Sequence, residues 1–365
     1  MWSDAQLLLL IAALLYLSEC VVWLPPQSVL LRDAGRGRWR RARRALETGG
    51  AGRGFAFLPP WPWSVRSVLA TPPAFSASPD HATGFVAAQN GPIARPVQPD
   101  TLLPLAEAGG VRTLLREFRG GREVFARAAD DATAEAGAAL LRELAGKHDR
   151  KAREALLKKR VAESLDPEQV RRRVEEVGRA ARPVELLCRL VFVWLFAVAP
   201  AACLYFGTER VLLPFFLATP ILHLPLAVLF FRAHRRLCPL RRGDAWIELV
   251  KCVLSPPMAA RSAELLWLHS FEGFHPMALL LAAGEPGDLP ADARLELTDL
   301  RYPALPGDVP EAARTCEAWH RGLLLTELSK RLEAANLPPT ALEQGRPADL
   351  TDGQPWCPRC REAMG

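Results

Sequence analysis

Cysteine and histidine carry the sharpest chemistry in this 365-residue chain, which has eight of the first and seven of the second. Cys357 and Cys360 form a Cys-x-x-Cys thiolate pair at structural-zinc spacing, with Pro358 shaping the turn. Cys316 and His320 stand four apart in a segment that reads as helix, so both side chains project to one face. The four together make a Cys3His tetrahedron, a closed set that suits a structural zinc ion and leaves no open catalytic position. The tail has little apolar content, so a metal clip to the helix would help to order it. Against this, 36 residues separate the two halves, and the proline-rich linker need not fold back. The alternatives are the Cys-x-x-Cys pair alone, a site shared between chains, a redox pair, and an idle thiol pair on a disordered tail. The redox reading lacks a thioredoxin-like βαβ context. His269, Glu272 and His275 are also close, but Gly273 and Pro276 predict a bent loop. Interfacial histidines are the simpler reading there than a metal site.

A second set is polar groups inside apolar runs. Glu19 and Arg189 each lie five residues inside a candidate membrane span, roughly 7–8 Å below the boundary at 1.5 Å per residue. Ionisable groups at that depth face the bundle interior or pair, so the two are expected to approach each other; the alternative is that each snorkels to the headgroups. His223 lies deeper, roughly 12 Å, in a run that also holds Pro214, Pro220 and Pro225. Prolines free backbone carbonyls, and a histidine bonded to such a carbonyl is the simpler reading than a proton or substrate site. A transporter builds its site from more helices than three.

The elements that must position these groups are read from hydropathy. Residues 5–24 are apolar, bracketed by Trp2 and Trp23, and long enough to cross a hydrocarbon core of about 30 Å. A cleaved signal peptide would need a basic start and a small-residue cleavage site, and neither is present. Residues 184–206 and 211–231 are two further spans, and the four residues between them force an antiparallel helical hairpin. Arg32, Arg36, Arg38, Arg40, Arg41, Arg43 and Arg44 follow the first span. Arg171, Arg172, Arg173, Arg179 and Arg182 precede the pair, and Arg232, Arg235, Arg236, Arg241 and Arg242 follow it. Positive charge close to a span stays in the cytoplasm, so all three flanks agree on three spans with the N-terminus out and the C-terminus in.

The segments between differ in character. Residues 25–110 form a basic and Pro/Gly-rich stretch, with strand candidates at 65–69 and 85–88 and a turn signal at Asn90-Gly91. Trp61 and Trp63 there are candidates for the headgroup region. Residues 111–183 are rich in Ala, Glu, Arg and Leu and read as charged helix, with acid-first pairs at Glu143–Lys147, Asp149–Arg153 and Glu154–Lys158. Asp166-Pro167-Glu168 is a helix restart: cap, proline at the first position, acid in the first turn. Residues 232–283 carry too many charges for a span and read as amphipathic helices that lie on the bilayer or pack against the membrane core. Residues 284–365 hold one strand candidate at 294–297, a helix from about 311 to 336, and the Cys-x-x-Cys tail.

The fold class expected is therefore mainly α: a helical multi-pass membrane protein with helical cytoplasmic segments and a minor β-containing unit. Six lysines against 40 arginines is the bias of a GC-rich bacterial genome, which points to a bacterial inner membrane. The net charge of +6 lies beside the apolar runs, so anionic lipid headgroups are the simpler partner, and no nucleic acid is expected. There is no Walker loop, dinucleotide fingerprint, Gly-x-Ser-x-Gly elbow or His-Glu-x-x-His. The leading function is a non-enzymatic tether or scaffold with protein partners on its cytoplasmic helices. The alternative is a small transporter or membrane-embedded enzyme with its site near Glu19, Arg189 and His223, which an oligomer could complete.

Overall fold

The computed structural model describes residues 4–24, 28–33, 37–44, 54–58, 66–70, 75–84, 96–97, 113–118, 121–127, 131–301 and 311–342. The fold is mainly helical. Its long axis is built by two helical runs. Helix α4 (Pro167–Val193) starts where Asp166 accepts a hydrogen bond from the Glu168 N–H, with Pro167 at the first helical position. It continues through a π turn (Trp194–Val198) into α5 (Ala199–Phe206). The π turn has a local cause: Pro200 has no N–H and its ring would meet the Phe196 carbonyl, so the helix widens just before it. Gly207, at φ +84°, turns the chain, and α6 (Thr208–Leu237) returns alongside. The runs Pro167–Phe206 and Thr208–Leu237 are the two described helices long and apolar enough to cross a membrane.

The expected first span is shorter than the sequence suggests. Helix α1 (Asp4–Glu19) has 16 residues, about 24 Å against a core of about 30 Å. The chain turns at Cys20, and Val21–Leu24 forms β1, antiparallel to β4 (Gly54–Phe57). Val-Val-Trp-Leu is a good strand sequence once a partner edge is available, and tertiary pairing overrides the apolar run. The Glu19 side chain lies outside the described positions.

The arginine-rich stretch after it is also strand. β2 (Val29–Asp33) pairs with β3 (Trp39–Arg44) on one side and β5 (Ser67–Ala70) on the other, all antiparallel. Alternation sets Trp39 and Arg41 inward while Arg38 and Arg40 stay exposed. Strand β5 matches the candidate at 65–69; the one at 85–88 with its turn, and Trp61 and Trp63, lie outside the described residues. β6 (Phe75–Ala77), β7 (Ala82–Gly84) and β8 (Pro96–Val97) form a second small sheet.

Residues 111–183 are not helical throughout. β9 (Thr113–Phe118) and β10 (Gly121–Arg127) make an antiparallel hairpin. Gly120-Gly121 between two short mixed runs is a hairpin signal that the Ala/Glu composition downstream masks. The helix beyond breaks in two at residues 146–149: α2 (Asp131–Ala145) and α3 (Arg150–Ser164), the latter capped at Leu165. Glu154 and Lys158 pair as expected at 2.6 Å, whereas Glu143 pairs with Arg160 of α3.

After α6 come α7 (Ala245–Leu254), α8 (Pro256–His269), α9 (Pro276–Ala283), α10 (Leu289–Arg301), α11 (Glu311–Ala334) and α12 (Pro339–Leu342). The strand candidate at 294–297 is inside α10, because Ala293 and Leu297, four apart, bury together on one helix face. The larger apolar core joins β2, β5, α4, α6, α8, α9, α11 and α12, and a smaller one of Leu30, Leu58, Leu69 and Leu268 lies on the other face of β2 and β5.

Candidate functional site

The polar groups of the long helices are held by protein atoms. On α6, Thr219 accepts a hydrogen bond from the Trp194 indole at 3.0 Å and donates to the Phe215 carbonyl at 2.7 Å. One turn on, the buried His223 has Nδ1 3.0 Å from the Thr219 carbonyl and Nε2 2.8 Å from the Val253 carbonyl. Both ring nitrogens face carbonyl oxygens, and the shorter contact places an N–H on Nε2. Val253 lies in the last turn of α7, where carbonyls have no partner within the helix. The carbonyl that His223 satisfies is thus orphaned by the end of α7, not by a proline of α6. Arg189 is half-buried on α4, one residue beyond Cys188, whose thiol donates to the Ala259 carbonyl of α8 at 3.4 Å. Its expected meeting with Glu19 falls outside the described side chains.

A second group gathers where α6 ends, at the start of α7 and the end of α8. Arg241 lies 2.8–2.9 Å from both carboxylate oxygens of Glu272, and His269 Nδ1 is 2.9 Å from the same carboxylate. Burial alone would raise the Glu272 pKa, but His269 and Arg241 together hold it down to about 2. His234 of α6 is buried beside them, and burial, then His269 and Arg241, lowers it to about 4. Cys238, one turn after His234, is 3.8 Å from the Ser270 hydroxyl. Burial pushes its thiol up to about 12, which keeps it protonated and unreactive. Arg173 of α4 donates to the Ser270 and Leu237 carbonyls and pairs with Glu176, which also binds Arg236. These contacts fasten α4, α6 and the α7–α8 pair at one level.

His275 leaves the sequence cluster for a third group. Gly273, at φ +90°, turns the chain, so the bent loop expected from Gly273 and Pro276 is present. His275 caps α9: its Nδ1 accepts the Met277 N–H at 3.2 Å, which leaves the proton on Nε2, 3.4 Å from Glu296. Glu296 and Asp292 both bind Arg41 of β3, at 3.4 and 3.0 Å. A histidine–carboxylate pair is general-base chemistry in outline, but this one is closed on all sides and pins β3 to α10.

Cys316 and His320 do share one buried face of α11, as the spacing requires. That face lies against β6 and β7: the Cys316 thiol donates to the carbonyls of Ser76 and His81 at 3.5 and 3.2 Å. Burial lowers His320 to about 4, so its ring is neutral. Cys357 and Cys360 lie outside the described residues. Among the described residues no three His, Cys, Asp or Glu side chains stand in a metal-holding arrangement.

Sequence reasoning missed the Arg241–Glu272 contact, since its partners are 31 residues apart and share no local pattern. Comparison with protein-family models, with curated proteins and with solved structures finds no match.

Proposed function

We propose that the protein is a non-enzymatic membrane scaffold of the bacterial inner membrane. Its α4–α5 run and α6 cross the bilayer as an antiparallel hairpin, and the shorter α1 crosses beside them where the bilayer thins to match its roughly 24 Å. The arginine flanks support an orientation with the N-terminus outside and the bulk of the chain in the cytoplasm. There the helical body presents its exposed faces to protein partners.

The observation that carries this reading is the larger core, which runs from the long helices into the strands and into α11 and α12. Such a body is fixed to its membrane helices rather than hung on a linker, which is the mechanical property a scaffold needs. Trp194, Thr219 and His223 bind one another, or backbone carbonyls, as in a packed hairpin; a conduction path would need them to line an opening.

Two measurements test it. A photo-crosslinking residue placed at the exposed Ala318 of α11 or Lys159 of α3 in the full chain, in cells, is expected to give discrete protein adducts. The full chain in proteoliposomes is expected to leave proton and solute gradients unchanged. Dissipation of a proton gradient that disappears in His223→Leu would replace the scaffold with a transporter.

A further inference from the structure

We infer that α7 and α8 form a re-entrant hairpin that dips into the cytoplasmic leaflet and returns, with the apolar face of α7 covered by lipid acyl chains. The inference rests on the membrane reading above and adds an element to it.

Three kinds of contact fix the position of the hairpin. At its open end, Arg241 before α7 binds Glu272 after α8, so both ends leave the helix pair at the level of the α6 arginines. Along its length, α8 runs antiparallel to α4: Arg173 meets Ser270, Glu185 meets Trp267, and Cys188 meets Ala259. At its tip, the Val253 carbonyl meets His223, nine residues below Arg232 on α6. Nine residues are about 13 Å of helix, close to the roughly 15 Å of hydrocarbon in one leaflet. The ten residues of α7 span about the same distance.

The chemistry of the tip suits a place without water, where an unpaired backbone group costs several kcal/mol. A helix end normally leaves four carbonyls and a helix start four N–H groups without partners. Here α8 begins with Pro256-Pro257, which have no N–H to leave unpaired. The Ala259 N–H binds the Ser255 carbonyl, the Ser255 N–H binds Lys251, and His223 takes Val253.

The side chains agree. Trp246, Ile247, Val250 and Leu254 are all more than half exposed, on a helix otherwise packed against α6 and α8. The patch continues onto α6 through the Phe231–Trp246 ring contact at 4.6 Å. It lies directly below the exposed Arg232, Arg235, Arg236 and Arg242, the arrangement anionic headgroups complement. The charges of α8 turn away from it: Arg261 is buried and pairs with the partly buried Glu264. Lys251 of α7 is exposed, but helical side chains lean toward the N-terminus, here toward the surface, and its ammonium binds Glu248 at 2.8 Å.

The test places an environment-sensitive fluorescent amino acid singly at Val250, Leu254, Leu217 of α6 and Lys330 of α11, in the full chain in liposomes. Quenching by lipids brominated on the acyl chain is compared with quenching by aqueous iodide. Val250 and Leu254 are expected to follow Leu217, several-fold more sensitive to bromolipid than to iodide, while Lys330 shows the reverse. Iodide quenching at Val250 and Leu254 with Leu217 still in lipid would overturn the hairpin alone. Quenching by neither agent at those two positions would also overturn it, since a protein surface such as a second copy would then cover α7. Iodide quenching at Leu217 would remove the membrane reading itself.

Discussion

Arg241 and Glu272, 31 residues apart in sequence, close the two ends of a helical pair at 2.8–2.9 Å, and His269 completes the contact from the last turn of α8. Because Glu272 is almost fully buried, the contact is also a liability: without the guanidinium a carboxylate is left in the interior with only a histidine beside it.

Arg241→Ala is therefore expected to lower stability by roughly 3–5 kcal/mol, the range for breaking one side of a buried ion pair. Arg241→Met combined with Glu272→Leu removes both charges and should cost clearly less than the single change. Thermal unfolding of the full chain in mild detergent measures both. Equal losses would mean that the pair matters through its shape, not its charge.

Acid should destabilise the fold in a defined window. His234 and His320 titrate near 4 in the folded chain, below their ordinary 6.5, so the unfolded chain binds more protons between those values. Their contribution is complete above about pH 6.5 and is lost as pH falls toward 4, by about 1.4 kcal/mol per pH unit for each. Glu272 adds a loss of the same sign at lower pH, as acid approaches its value of about 2. Melting curves from pH 7.5 to 5 should steepen accordingly, and His234→Gln with His320→Gln should flatten them. An unchanged slope in the double variant would assign the effect to other groups.

His223→Leu leaves the Val253 carbonyl without its donor, a cost of roughly 1–3 kcal/mol for a buried acceptor. A fluorescent residue at Leu254 should become more accessible to iodide in this variant, while one at Leu217 should not. His223→Gln, which can still donate, should restore part of the difference.

Gly207 holds φ +84° and ψ 146° at the join of α5 and α6, with nothing within 4 Å of an added Cβ. Gly207→Ala should cost roughly 1–3 kcal/mol through the backbone alone. A D-alanine introduced by chemical ligation should be neutral there, and a loss equal to that of the L form would refute the conformational explanation.

Much of the helical frame is legible in the residues. Asp166-Pro167-Glu168 starts α4 where the cap chemistry requires, and the apolar runs at 184–206 and 211–231 lie within the two long helices. Cys316 and His320 share a face because four-residue spacing demands it, but nothing local reveals that β6 and β7 cover that face. The arginines of β3 read as the flank of a span, since charge density hides the alternation that buries Trp39 and Arg41. Likewise the bend between Glu272 and His275 follows from Gly273, whereas their separate partners, Arg241 and Glu296, are products of tertiary packing.

The contact between the Trp39 and Trp267 rings, 6.3 Å apart, has a consequence for biosynthesis. The surface that β2, β3 and β5 bury is covered by α8, about 200 residues after β5 in the chain. At roughly 5–20 residues per second, translation leaves that sheet face without its cover for about 10–50 s. Over that interval the nascent chain carries an open apolar sheet, so its yield in cells should depend on chaperone supply and elongation rate more than the stability of the finished protein would suggest.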